Sequence, residues 1–220
     1  MHQNLKRHVE GEGGPLVVLL HGFAGLAEDL APFGRSMAVV GTFVFPEAPV
    51  DLAPLGLRGR AWWPSDGVAR AEAIAGAGAR DLSDFEPEGL DEARARLDAL
   101  LDALSAENPG APLVLGGFSQ GAMLAFDLAL RTKRPLAGLV QLSGCRIAAR
   151  IWDPLLTSRR GTRAFISHGR QDPDLAFAAA DAWQRDLTAA GWRVDFFPFD
   201  GGHETPLGAL RALKKFLRSL

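Results

Sequence analysis

Short apolar runs recur along this chain at about 15–20, 42–46, 112–117, 136–142, 162–167 and 193–198, and each predicts a strand. Between most of them, apolar residues return every three or four positions, at about 26–38, 90–107, 119–131, 174–190 and 205–219. That spacing predicts helices, because it gathers the apolar side chains on one face. Strands alternating with helices predict an α/β fold with a mostly parallel central sheet and helices on both faces. Residues 5–10 could add an antiparallel edge strand. The last helix carries Leu210, Leu213, Phe216, Leu217 and Leu220 on one face, opposite Arg211, Lys214, Lys215 and Arg218. Such a stripe docks on a sheet far more often than it lies on a membrane.

The stretch from about 47 to 88 breaks this rhythm. It holds Pro49, Pro54, Gly56, Gly59, Trp62, Trp63 and Pro64, with a short helix expected from about Val68 to Arg80. Long irregular insertions in compact domains are often lids or pocket loops. Trp62 and Trp63 are the candidate substrate-binding residues there, one expected to line a pocket and the other to fill the core beneath the loop.

Composition narrows the picture. At 220 residues and 47% hydrophobic content, a single domain covering 1–220 is the natural count. The net charge of −2 without strong clustering argues against a nucleic-acid partner. The lone Cys145 excludes an intramolecular disulfide and agrees with a reducing, cytoplasmic location. The first residues, Met1 to Arg7, lead into charged and glycine-rich sequence without the apolar core of a signal peptide. No run approaches the ~20 apolar residues of a membrane span, so no stable membrane insertion is expected. Nothing in the sequence sets the oligomeric state.

The chemistry concentrates in Gly117-Phe118-Ser119-Gln120-Gly121, which sits between an apolar run and a helical pattern. With 25 glycines in the chain, a bare Gly-x-Ser-x-Gly match is weak. The strand–turn–helix context gives it weight, since a nucleophile elbow needs that setting. Ser119 is the candidate nucleophile. A serine hydroxyl needs a base, and the base an orienting acid. Among His2, His8, His21, His168 and His203, the last lies on a loop between the final strand and the final helix, where it can lean over the sheet edge. Asp172 follows a strand by a short turn and is the favoured acid, ahead of Asp174, which suits a helix cap, and Asp200, which is too close to His203 in sequence. His21 and His168 are read as structural, and Cys145 as inert. Backbone N–H groups of Gln120 and of the loop after the first long strand, with Phe23 as the likelier donor, fit an oxyanion hole by position.

Leu20-His21-Gly22-Phe23-Ala24-Gly25, Gly117 to Ala122, Leu142-Ser143-Gly144, His168-Gly169-Arg170-Gln171-Asp172 and Gly202-His203 follow one another in an order that resembles the phospholipase/carboxylesterase family. That family includes acyl-protein thioesterases and small bacterial carboxylesterases. The resemblance implies an α/β-hydrolase fold, a triad of Ser119, Asp172 and His203, and oxyanion donors at Phe23 and Gln120, with no metal or cofactor. It implies hydrolysis of small-molecule carboxylic esters or thioesters. Pro173-Asp174-Leu175 departs from the aliphatic residues the family usually carries there. An acyltransferase or peptidase on the same fold, or a non-catalytic binding protein, are the alternatives.

Overall fold

A computed structural model describes residues 5–64, 71, 72, 74–76 and 78–220. Its centre is a seven-stranded sheet of β1 (Arg7–Glu10), β2 (Leu16–Leu20), β3 (Thr42–Pro46), β6 (Leu113–Phe118), β7 (Gly138–Leu142), β8 (Arg163–Gly169) and β9 (Arg193–Phe199). The spatial order is β1-β3-β2-β6-β7-β8-β9. Only β1 runs antiparallel, pairing with β3 at the edge; the other neighbours are parallel. The α/β architecture with a mostly parallel sheet is therefore observed.

The period of two along each strand sends neighbouring side chains to opposite faces. In β2, Leu16, Val18 and Leu20 join one core while Val17 and Leu19 join the other. The first core is covered by α2 (Leu90–Glu107), α3 (Gln120–Arg131) and α5 (Phe177–Ala189). The second is covered by α1 (Ala31–Met37) and α6 (Leu207–Arg218). In α6 the apolar stripe docks through Leu213, Phe216 and Leu217, with the Phe216 ring 5.8 Å from that of Phe165. α3 is buried on every side. Its Asp127 is satisfied there by Arg94, Arg131 and the Trp152 indole, at 2.8, 3.1 and 2.9 Å.

Two helices begin later than their apolar spacing predicts. Residues 26–38 split into a 3-10 turn, Ala27–Leu30, and then α1, with a proline in the first turn of α1. After β8, the Asp172 carboxylate takes the Asp174 and Leu175 N–H groups, both at 2.9 Å, and this local turn delays α5 to Phe177. Asp174 is therefore not the helix cap that its position predicts: Ala176 stands at that place, and the Asp174 side chain pairs with Arg80 instead. A short helix α4 (Ala149–Trp152), running into a 3-10 stretch to Arg159, has no counterpart in the apolar pattern. Four residues are too few to display a period.

In the irregular stretch, β4 (Val50–Asp51) and β5 (Arg60–Ala61) form a small antiparallel hairpin. The helix expected at Val68–Arg80 falls partly outside the described residues.

Candidate active site

The elbow is built by close approach of backbones. Ser119 has φ 52° and ψ −119°, a conformation that costs a non-glycine residue free energy and is held only by its surroundings. A Cβ at Gly117 would meet the Leu20 carbonyl oxygen at 2.6 Å, and one at Gly121 the His21 oxygen at 2.4 Å. The two glycines thus let β6 and α3 press against the loop after β2. The Ser119 N–H still continues the sheet ladder, bonding the Leu142 carbonyl at 2.9 Å, while its own carbonyl receives the Met123 N–H at 3.1 Å. The serine is pinned between strand and helix.

His203 reaches Ser119 from the loop after β9. Its Nε2 lies 2.9 Å from the Ser119 hydroxyl oxygen and its Nδ1 2.7 Å from Asp172 Oδ2. A carboxylate only accepts, so Nδ1 carries the proton and Nε2 is left to accept from Ser119. The Phe118 ring packs on the imidazole at 4.9 Å between centroids. A Cβ at Gly169 would sit 2.2 Å from the Gly202 oxygen, so a glycine is required where β8 passes beneath the histidine loop. The Ser143 hydroxyl donates to the Glu204 carbonyl at 2.9 Å and anchors that loop from the end of β7.

Asp172 is buried. Burial alone would raise its carboxyl; the hydrogen bond and charge of His203, helped by the Leu175 and Asp174 N–H groups, outweigh burial and hold it below the usual carboxylate range. A second imidazole, His168, lies 3.3 Å from the same Oδ2 and donates to the Leu175 carbonyl at 3.0 Å. Asp200, the weaker rival as acid, faces solvent near Arg170.

The loop Gly22–Gly25 lies across from Ser119. Arg60 in β5 holds it through two backbone bonds, Ala24 N–H to the Arg60 carbonyl at 2.9 Å and Arg60 N–H to the Gly25 carbonyl at 3.1 Å. His21 sits beneath. Its Nδ1 donates to the Gly22 carbonyl at 2.8 Å and its Nε2 accepts the Ala48 N–H at 3.1 Å, a pattern only the neutral ring can make. Burial depresses its pKa, ahead of the weaker raising influences of the Gly22 carbonyl, Glu47 and Asp29. Gln120, with its N–H in the first turn of α3, has no acceptor within the helix for that donor.

The tryptophans divide. Trp63 lines the cavity beside Ser119, with Phe23, Gln120 and Met123. Trp62 packs on His21, ring centroids 5.4 Å apart, and donates its indole N–H to the His21 carbonyl at 2.8 Å. Nothing in the motif pointed to the Gln120 side chain, which accepts the Trp62 backbone N–H at 2.9 Å and donates to the Trp63 carbonyl at 3.3 Å. Nor did the sequence reveal Arg80 in the cavity wall, paired with Asp174. Both depend on contacts between residues 57 to 94 positions apart. Cys145 is free and buried, and burial drives its thiol well up, so it is no nucleophile.

The model of the phospholipase/carboxylesterase family matches residues 9–220. The chain belongs to that family. It is thereby an enzyme of the carboxylic ester and thioester hydrolases, as the motifs led us to expect. Acyl-protein thioesterase 1 of Kluyveromyces lactis is 34% identical over 213 residues, covering 89% of this chain and 84% of the relative. That of Yarrowia lipolytica is 33% identical over 172 residues, 73% of this chain and 70% of its own. Among solved structures, esterase PE8 superposes with a TM-score of 0.79 at 27% identity, over 99% of both chains. Acyl-protein thioesterase 2 of Zea mays, at 21% identity and TM-score 0.74 over 97% of this chain and 98% of its own, shares the fold. Among the described residues no helix is long and apolar enough to cross a membrane, and no cluster of potential ligands could hold a metal ion.

Proposed function

We propose that this enzyme cleaves carboxylic esters or thioesters through a covalent acyl-enzyme on Ser119, with His203 as general base and acid and Asp172 as its orienting carboxylate. The observation that carries the reading is the unbroken relay of 2.9 and 2.7 Å from the Ser119 hydroxyl through His203 to Asp172. His203 Nε2 takes the hydroxyl proton as the oxygen attacks the acyl carbon. The Phe23 and Gln120 N–H groups hold the oxyanion. Collapse breaks the bond to the leaving alcohol or thiol, which receives its proton from Nε2. Water, deprotonated by the same nitrogen, then attacks the acyl-enzyme; Ser119 leaves, regains its proton and frees the acid. Asp172 stays ionised and stabilises the imidazolium. No step needs a metal or cofactor. Thioesters stand beside esters here because two relatives are named acyl-protein thioesterases.

Within a single domain of 220 residues, we read Trp63, Arg80, Leu82 and Phe85 of the stretch 47–88 as a wall of the binding pocket, with Trp63 facing substrate and Trp62 supporting the oxyanion loop. The free thiol of Cys145 suits a cytoplasmic setting.

The test is hydrolysis of p-nitrophenyl esters from acetate to palmitate, with Ser119→Ala measured alongside. Turnover should fall by at least about 10⁴-fold in the variant, with an unchanged circular dichroism spectrum. Undiminished turnover in that variant refutes the reading.

A further inference from the structure

The cavity beside Ser119 measures about 150 Å³, well below the roughly 300–1,000 Å³ of pockets that hold drug-sized ligands. Much of its wall is apolar, from Trp63, Leu82, Phe85, Met123 and Leu175. Into this wall the fold sets an ion pair, Arg80 with Asp174. Asp174 is buried and Arg80 is largely so. The Arg80 Nε is buried and, among the described residues, has no hydrogen-bond acceptor.

The pair is fixed at its backbone as well. The Arg80 N–H donates to the Asp174 carbonyl at 2.8 Å, and the Arg80 carbonyl accepts the Ala176 N–H at 2.9 Å. The Asp174 N–H is itself held by Asp172 at 2.9 Å. One turn therefore sets both the orienting acid and the charged wall, and the wall cannot swing aside without disturbing the acid.

We propose that the Arg80–Asp174 pair closes the acyl pocket and restricts this enzyme to esters and thioesters of short acyl chains. The inference rests on the acyl-enzyme reading above. Each methylene added to an acyl chain gains up to about fourfold in binding while it moves from water onto apolar wall. That gain ends where the chain meets the pair. A methylene placed there takes the remaining solvent from the partly exposed Arg80 guanidinium and returns no hydrogen bond.

The test compares kcat/KM for p-nitrophenyl acetate, butyrate, octanoate and laurate on the wild type and on the double variant Arg80→Met/Asp174→Leu. The double variant removes both charges together, so neither is left buried alone. The wild type should prefer butyrate to octanoate by at least tenfold, and the double variant should raise the octanoate-to-butyrate ratio at least tenfold. A wild type that prefers octanoate, or a folded double variant with an unchanged ratio, overturns the inference. Should the double variant not fold, the wild type decides: lengthening the acyl side should cost far more than lengthening the alcohol side from ethyl to octyl butyrate. Equal costs overturn the inference. Ser119→Ala run on the same substrates separates the two readings, since its failure to lower turnover sinks the acyl-enzyme, whereas an unmoved ratio sinks only the charged wall.

Discussion

The elbow and the stretch from 47 to 88 meet at one cavity, but they are held by different means. Ser119 is positioned by neighbouring backbones, with glycines where a Cβ would strike a carbonyl and a φ of 52° enforced from both sides. The irregular stretch adds to its backbone bonds at Arg60 and Arg80 a set of side chains reaching across the molecule: Gln120 to Trp62 and Trp63, and Arg80 to Asp174. The difference follows from what each region must deliver. On the acyl-enzyme reading proposed above, a nucleophile displaced by an ångström would lose its base and its oxyanion donors together, so its placement is fixed by rigid local geometry. A pocket wall sets which acyl group fits, so it can rest on pairs of distant residues, even where, as at Asp174, one of the pair shares a turn with Asp172.

The strongest way to break this contrast is to leave the elbow untouched and spoil only the relay. In Asp172→Asn, the amide oxygen can still accept the Asp174 and Leu175 N–H groups, so the turn survives. Its NH₂ then faces His203 Nδ1, which favours the tautomer with the proton on Nε2, pointing at the Ser119 oxygen with nothing to accept. We expect kcat to drop by about 10⁴-fold with little change in melting temperature. A loss below tenfold, measured by steady-state kinetics, would show that the carboxylate does not set the tautomer.

A smaller effect should come from the clamp between the regions. Gln120→Leu keeps the backbone N–H at position 120 but leaves the buried Trp62 N–H without its acceptor. Such a loss costs about 1–3 kcal/mol, which in a domain of this size lowers the melting temperature by several degrees. Because Trp63 lines the cavity, KM should rise several-fold while kcat changes less. An equal fall in kcat and kcat/KM with unchanged KM would mean that the side chain acts on the reaction and not on the wall.

The same contrast explains what could be read in advance. Seven strands and the major helices were legible because their apolar periods are local, and Ser119, Asp172 and His203 because each follows a strand or precedes a helix in recognisable order. Phe23 could be named only by position, since a backbone donor leaves no mark on side-chain identity. Asp174 was misread as a cap because Asp172 takes the N–H groups that would otherwise open the helix. Arg80 was invisible: an arginine at the end of an alanine-rich stretch carries no local sign of a partner 94 positions away. Gln120 hid behind its own motif, where the residue after the serine is read for its N–H and not for its amide.

The finest test concerns His21, where the two regions touch. Its neutral ring accepts from Ala48 at the start of the irregular stretch and donates to Gly22 in the loop after β2, the proposed oxyanion loop. Burial lowers its folded pKa, and burial does the same to His168 despite the Leu175 carbonyl and Asp172. A depressed histidine pKa means that the unfolded chain binds more protons than the folded one. Stability should therefore rise with pH up to the usual imidazole value of about 6.5 and fall as the pH drops below it. The slope is at most about 1.4 kcal/mol per pH unit for each such histidine. Asp172, held below the usual carboxylate range, gives up its share only in more acidic solution, so melting temperatures between pH 7.5 and 5 read mainly the histidines. His21→Gln keeps an acceptor for the Ala48 N–H but cannot take a proton there, so the variant should melt with a visibly shallower pH slope, His168 supplying the remainder. An unchanged slope would mean that the link between oxyanion loop and pocket wall does not titrate in this range, and that acid weakens the fold somewhere else.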